Sequence, residues 1–288
     1  MPGEREAYGA GEWFGHIVSY QSGPQLKALA AKAALGFKAA DMPCLFRETV
    51  EPGAKCNKKG GVCSIQKHRD DGSGAVTAVS SFVTMCPSRF WQDASVFRWI
   101  GEAVLGTSKP TLIKEVDFLE SLIGVDTEDE SEEAKERDAV GRIDTVLLHP
   151  DKPSEWCALE LQAVYFSGPG MPTHLAQYAS ASGLVFPDKQ RRPDFRSSGP
   201  KRLMPQLQTK VPTLRRWGKK MTVVVDVPFF NSLGPMVAIP HLSNSDIAWF
   251  VVNYDPATGA ISLAKTVYRA PRKIACPSAP CESAALTA

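Results

Sequence analysis

Hydrophobic positions along this chain follow a helical period at first and a strand period later. Over residues 24–40 (PQLKALAAKAALGFKAA) Leu and Ala recur with Lys at helical spacing, which predicts an amphipathic helix. Residues 41–90 break this order. Pro, Gly, Lys and polar residues dominate there, and Cys44, Cys56, Cys63 and Cys86 are scattered through weak periodicity. A segment with so little to bury wants a cross-link. Aromatic and aliphatic residues return at helical spacing over 91–105 (WQDASVFRWIGEAVL), and 110–123 (PTLIKEVDFLESLI) predicts another helix, opened by Pro110 and closed by Gly124.

The strand period begins at Arg142. Residues 142–148 are β-branched and apolar, end at a Pro150 to Pro153 turn, and are followed by a second strand over 156–166 that stops at Ser167-Gly-Pro-Gly170. Residues 203–217 carry an apolar stripe at helical spacing despite Pro205 and Pro212, which predicts a kinked or interrupted helix. Two further strands are expected at 221–230 and 246–254, and the Pro/Ala/Ser-rich tail after about 271 reads as loose. No internal repeat is visible. The order predicts an α/β fold around a mixed sheet.

Composition adds limits. At 288 residues and 43% hydrophobic the chain can bury a sizeable core. No run approaches the roughly 18–20 apolar residues of a membrane span, and the first residues lack a signal-peptide pattern, so the expected compartment is the cytoplasm, with no membrane partner. Seven cysteines, an odd number unevenly spread, read as reduced thiols or metal ligands. The net charge of +2 conceals two opposed segments: residues 126–138 hold eight acids against two bases, whereas 187–220 hold eleven Lys/Arg against two Asp. The first is expected to be a dispensable solvated loop, and the second to face a polyanion.

Chemistry concentrates on the two strands. Alternation along ALELQAV puts Glu160 and Gln162 on one face and Leu159, Leu161 and Ala163 on the other, with Asp144 on the preceding strand among Ile143, Val146 and Leu147. Burying such groups without partners costs a few kcal/mol, so either they are bonded structural groups or they face an opening that holds ions and water. Adjacent carboxylates repel, and Mg²⁺, which prefers hard oxygen ligands, would relieve the repulsion. A structural Asp144 and a half-exposed Glu160 on an edge strand remain the plainer alternative.

GRIDTVLLH, the turn, and WCALELQAVYFSGPGM together resemble the active-site strands of the NotI restriction endonuclease family, a branch of the PD-(D/E)xK nucleases. The resemblance implies that Asp144 is the first acid and Glu160 the second, together binding magnesium. Gln162 stands where most of the superfamily has Lys, a departure that is a feature of the NotI branch. It also implies an acid from an upstream helix, for which Glu115 is the first candidate, Glu120 the second and Asp117 the third. The family carries iron on four cysteines in a module that contributes to DNA binding, and Cys44, Cys56, Cys63 and Cys86 match by position. Four thiolates suit zinc equally well, and the gaps of 11, 6 and 22 residues are not the paired spacing of a strong motif.

The expected fold is therefore a mixed-sheet PD-(D/E)xK nuclease core with an N-terminal four-cysteine metal-binding module. The expected division is a helical segment at 1–40, the four-cysteine module at 41–90, the nuclease core at 91–270 and a tail at 271–288. The expected function is type II, Mg²⁺-dependent, site-specific cleavage of double-stranded DNA by a homodimer. Catalysis would rest on Glu115, Asp144, Glu160 and Gln162. DNA contacts would come from Arg191, Arg192, Arg196, Lys201, Arg202, Arg215 and Arg216. A metal-stabilised DNA-binding protein without cleavage, and a structure-specific repair nuclease, are the rival readings.

Overall fold

The computed structural model describes residues 4–35, 42–117, 142–167, 171–189 and 191–269. The acidic segment 126–138, Glu120 and the tail expected at 271–288 lie outside them.

Six strands form the central sheet: β6 (Thr111–Asp117), β7 (Arg142–His149), β8 (Lys152–Leu161), β11 (Lys220–Asp226), β12 (Ile247–Tyr254) and β13 (Ile261–Arg269). Their order is β13-β12-β11-β8-β7-β6. β11 runs parallel to both β8 and β12, and the remaining pairs are antiparallel. The parallel centre explains the continuous apolar run MTVVV, since a strand covered on both faces needs no polar alternation. One face (Ala158, Val223, Val225, Trp249) packs with Leu207, Val211 and Leu214 of the helix Met204–Arg216. The opposite face (Leu159, Leu161, Val224, Phe250) packs with Val96, Phe97 and Ile100 of the helix Ser95–Ile100. In chain order the helices are α1 (Gly23–Ala34), α2 (Ser95–Ile100), α3 (Met171–Gln177), α4 (Phe195–Ser198), α5 (Met204–Arg216) and α6 (Val227–Ser232).

A second, antiparallel sheet has the order β2-β1-β3-β4, with β5 also on β3: β1 is Arg5–Trp13, β2 His16–Ile17, β3 Val62–Asp70, β4 Val76–Ala78 and β5 Val83–Thr84. A short pair, β9 (Tyr165–Ser167) and β10 (Arg192–Asp194), lies beyond the end of β8. Among the described residues no helix is long and apolar enough to cross a membrane.

Two expectations are corrected. The helix predicted at 110–123 is, over Thr111–Asp117, the edge strand β6 paired with β7. Leu112 and Val116, four residues apart, would share one side of a helix, yet they pack on opposite faces of the sheet, and pairing with β7 decides the outcome.

The four-cysteine module is the larger correction. Cys44, Cys56, Cys63 and Cys86 are free thiols, and among the described residues no group of three or more His, Cys, Asp or Glu side chains is placed to hold a metal ion, iron and zinc included. Burial pushes the Cys44, Cys56 and Cys63 thiols up, which keeps them protonated. The anchoring that the segment 41–90 needs comes instead from β3 and β5, laid into the second sheet, and from polar ties to the core. The Thr84 N–H donates to Asp226 Oδ2 at 2.6 Å, and the buried Arg89 pairs with Glu12 at 2.8 Å.

Candidate active site

The antiparallel register sets Thr145 opposite Leu159 and Val146 opposite Ala158, so one step further along the ladder Asp144 comes against Glu160. The two carboxyls are close enough for each to act on the other's titration, and the Leu161 backbone N–H favours the Asp144 carboxylate. Glu160 is 3% exposed. Burial first, and then the charge of Asp144, push its pKa up to about 7, against the opposing pull of Lys210. Much of Asp144 is open to solvent, yet its carboxyl is also raised, by burial in the cleft wall and against the pull of Lys210.

Gln162 follows directly on the end of β8, with 8% of its surface exposed. Its backbone N–H donates to the Val224 carbonyl at 3.0 Å and its amide donates to the Ala163 carbonyl at 2.5 Å. Asp144, Glu160 and Gln162 line one cleft of about 550 Å³, together with Lys58, Lys201 and Arg202. A second cleft of about 300 Å³ also opens onto Asp144 and is bordered by Glu115, Lys114 and Arg47. Asp144 is thus common to both.

Glu115 lies on the edge strand between Lys114, which pairs with Thr145, and Val116, which pairs with Ile143. Its φ of 52° is a left-handed conformation that costs a non-glycine residue on the order of 1 kcal/mol or more, and such strain is found most often at functional sites. Its side chain is 73% exposed and 3.3 Å from Arg142. Asp117 is held by the same Arg142 at 3.2 Å, and it does not line the cleft beside Asp144.

Of the cations expected to meet DNA, Lys201 and Arg202 border the acid pair, and the Arg202 guanidinium lies 3.5 Å from the centre of the Tyr165 ring. Arg192, Arg196, Arg215 and Arg216 are exposed, with Arg215 3.7 Å from Asp246. Arg191 is buried, with its guanidinium 3.9 Å from the Met171 sulfur. Cys157 lies on the sheet face opposite Glu160, where burial pushes its thiol up to about 12.

One residue of the site was not singled out in the sequence. Lys210 of α5 is 3% exposed, and its ammonium donates to Glu160 Oε2 at 2.8 Å and to Gln206 Oε1 at 2.9 Å. The signal was present: among Leu203, Leu207, Val211 and Leu214, a lysine at 210 falls within the apolar stripe of an amphipathic helix. A buried ammonium requires a partner, and the nearest unpaired demand was the acid pair.

The mixed sheet, with an Asp on one strand and Glu-x-Gln on its antiparallel neighbour, is consistent with a PD-(D/E)xK-like core. The family model for the restriction endonuclease NotI matches residues 28–264, and the chain belongs to this PD-(D/E)xK-like family of restriction endonucleases. No curated protein matches the chain.

Proposed function

We propose that this protein is a divalent-cation-dependent endonuclease that cuts double-stranded DNA at a specific sequence. The observation that carries the reading is the pairing of Asp144 with Glu160 at a cleft whose rim holds Lys201 and Arg202. Two carboxyls whose pKa values are both raised form a hard-oxygen donor set that a divalent cation would relieve, which fits Mg²⁺ held by Asp144 and Glu160. Such an ion supplies Lewis-acid stabilisation of charge on a phosphate and lowers the pKa of bound water. Gln162 is suited to orient a water or a phosphate oxygen at the mouth of the cleft. Glu115, beside Asp144 in the second cleft, is the candidate third acid. On this reading the nuclease core spans 91–270, the place of action is the cytoplasm, and a homodimer supplies one site to each strand of a two-fold target.

Incubation with mixed-sequence plasmid DNA tests this directly. Discrete fragments in Mg²⁺ and none in EDTA are expected. Binding without cutting would favour a DNA-binding protein, and cuts confined to flaps or mismatches a repair nuclease.

Binding should also be strongly salt-dependent. If Lys201, Arg202 and the other exposed cations of 187–220 neutralise phosphates, each releases about one counterion, and affinity should fall at least about tenfold between roughly 50 and 200 mM salt. Fluorescence anisotropy with an uncut duplex measures it, and a flat response would remove this segment from the interface. Arg191→Ala should leave the slope unchanged, since Arg191 is buried.

A further inference from the structure

We propose that Lys210 is a positioning residue of this active site, a buried cation on α5 that holds Glu160 in register with Asp144. The inference rests on the nuclease reading above and adds to it a residue that lies outside the two strands.

The geometry is specific. The Lys210 ammonium has one carboxylate oxygen at 2.8 Å, in the buried layer between α5 and the sheet, and one amide oxygen at 2.9 Å, from the half-buried Gln206. Lys210 does not itself line the cleft, whereas Glu160 and Gln206 do. The lysine therefore reaches the cleft through its two neighbours. It fixes Oε2 of Glu160 from behind and sets a positive charge beside the acid pair. A surface ion pair could not do this, because a solvated lysine surrenders its partner to water and salt. Buried as it is, this pair resists screening, and α5 is itself fixed by Leu207, Val211 and Leu214 against the sheet.

The site also contains a place from which the same charge could be supplied. Gln162 lies two residues beyond Glu160, on the same side of the chain, in the same cleft. A lysine there could extend its ammonium back to Glu160, so moving the cation from 210 to 162 asks whether the charge or the packing matters.

The experiment compares wild type, Lys210→Met, Gln162→Lys and the double variant Gln162→Lys/Lys210→Met, with Asp144→Asn as the inactive control. Cleavage of a plasmid gives kcat and KM separately in Mg²⁺. Metal-free melting curves and metal-free duplex affinity report on fold and binding. Lys210→Met is expected to lower kcat at least thirtyfold with KM and metal-free DNA affinity within threefold of wild type. The double variant is expected to regain at least tenfold of that loss. A folded Lys210→Met protein with kcat within threefold of wild type overturns the proposal, as does a folded double variant no faster than Lys210→Met. If neither Met variant folds, Lys210 is a structural cation and the proposal falls. Absence of cutting by the wild type is a different outcome, which overturns the nuclease reading itself.

Discussion

Replacing Asp144 by Asn is expected to lower DNA cleavage by about 10³-fold or more while leaving a protein that binds DNA and is more stable than wild type at pH 8. The first effect follows from loss of a ligand to the proposed ion, where a few kcal/mol of transition-state stabilisation correspond to that factor. The second follows from the acid pair. Glu160 has its pKa raised from an ordinary 4.5 to about 7, first by burial and then by Asp144. An acid raised in the folded state keeps its proton longer there than in the unfolded chain, so metal-free stability falls as pH climbs from about 4.5 to about 7. The Asp144→Asn substitution removes the repulsion and leaves the Lys210–Glu160 pair intact. The gain in melting temperature should therefore be larger at pH 8 than at pH 5, and equal gains at both would mean the carboxyls do not interact. Glu160→Ala is the less informative variant, because it strands the buried Lys210 without its carboxylate and confounds loss of chemistry with loss of fold. Cleavage by Asp144→Asn within threefold of wild type would remove Asp144 from the site.

The parts of this architecture that were legible in the sequence are those where one period dominates. β7, β8, β11 and β12 all appear where β-branched and apolar runs predict strands, and parity along ALELQAV correctly separates Glu160 from Leu159, Leu161 and Ala163. The strand expected at 156–166 nevertheless stops at Leu161, and the one expected at 221–230 stops at Asp226, which accepts from the Phe229 N–H and starts α6 ahead of Pro228. The second sheet was not legible, for a physical reason. Its interior holds Glu12, Ser64, Gln66 and His68, each buried and polar, so the alternation that marks a half-buried strand is absent from β1 and β3. The same substitution of polar for apolar interior led the cysteines to be read as the anchor of this region. Lys210 escaped notice because a basic segment invites a solvent-facing reading, although its helical position was an apolar one.

The buried polar interior of the second sheet makes Arg89 the residue whose loss should cost the most stability. Its guanidinium lies between the rings of Phe46 and Tyr254, 4.2 Å from each centroid. Its Nε donates to both Glu12 carboxylate oxygens at 2.9 and 2.8 Å, Nη1 donates to Gln92 Oε1 at 2.7 Å, and Nη2 donates to the Gly259 carbonyl. One side chain thus ties β1 to the turn between β12 and β13, across the boundary between the two sheets. Arg89→Ala strands the Glu12 carboxylate in a layer where it is 1% exposed and leaves a carbonyl without its donor. Breaking a buried pair in this way costs about 3–5 kcal/mol, which corresponds to a fall of roughly 10 °C in melting temperature for a chain of this size. The pair itself is not worth that much, because both ions lost their hydration on burial. The double variant Glu12→Gln/Arg89→Met should therefore recover at least half of the loss, since it removes both charges and keeps an unbranched side chain between the two rings. Thermal melts of the wild type, Arg89→Ala, Glu12→Gln, Arg89→Met and the double measure the loss and close the cycle. An Arg89→Ala protein within about 1 kcal/mol of wild type would mean that the β1–β3 sheet holds to the core without this staple.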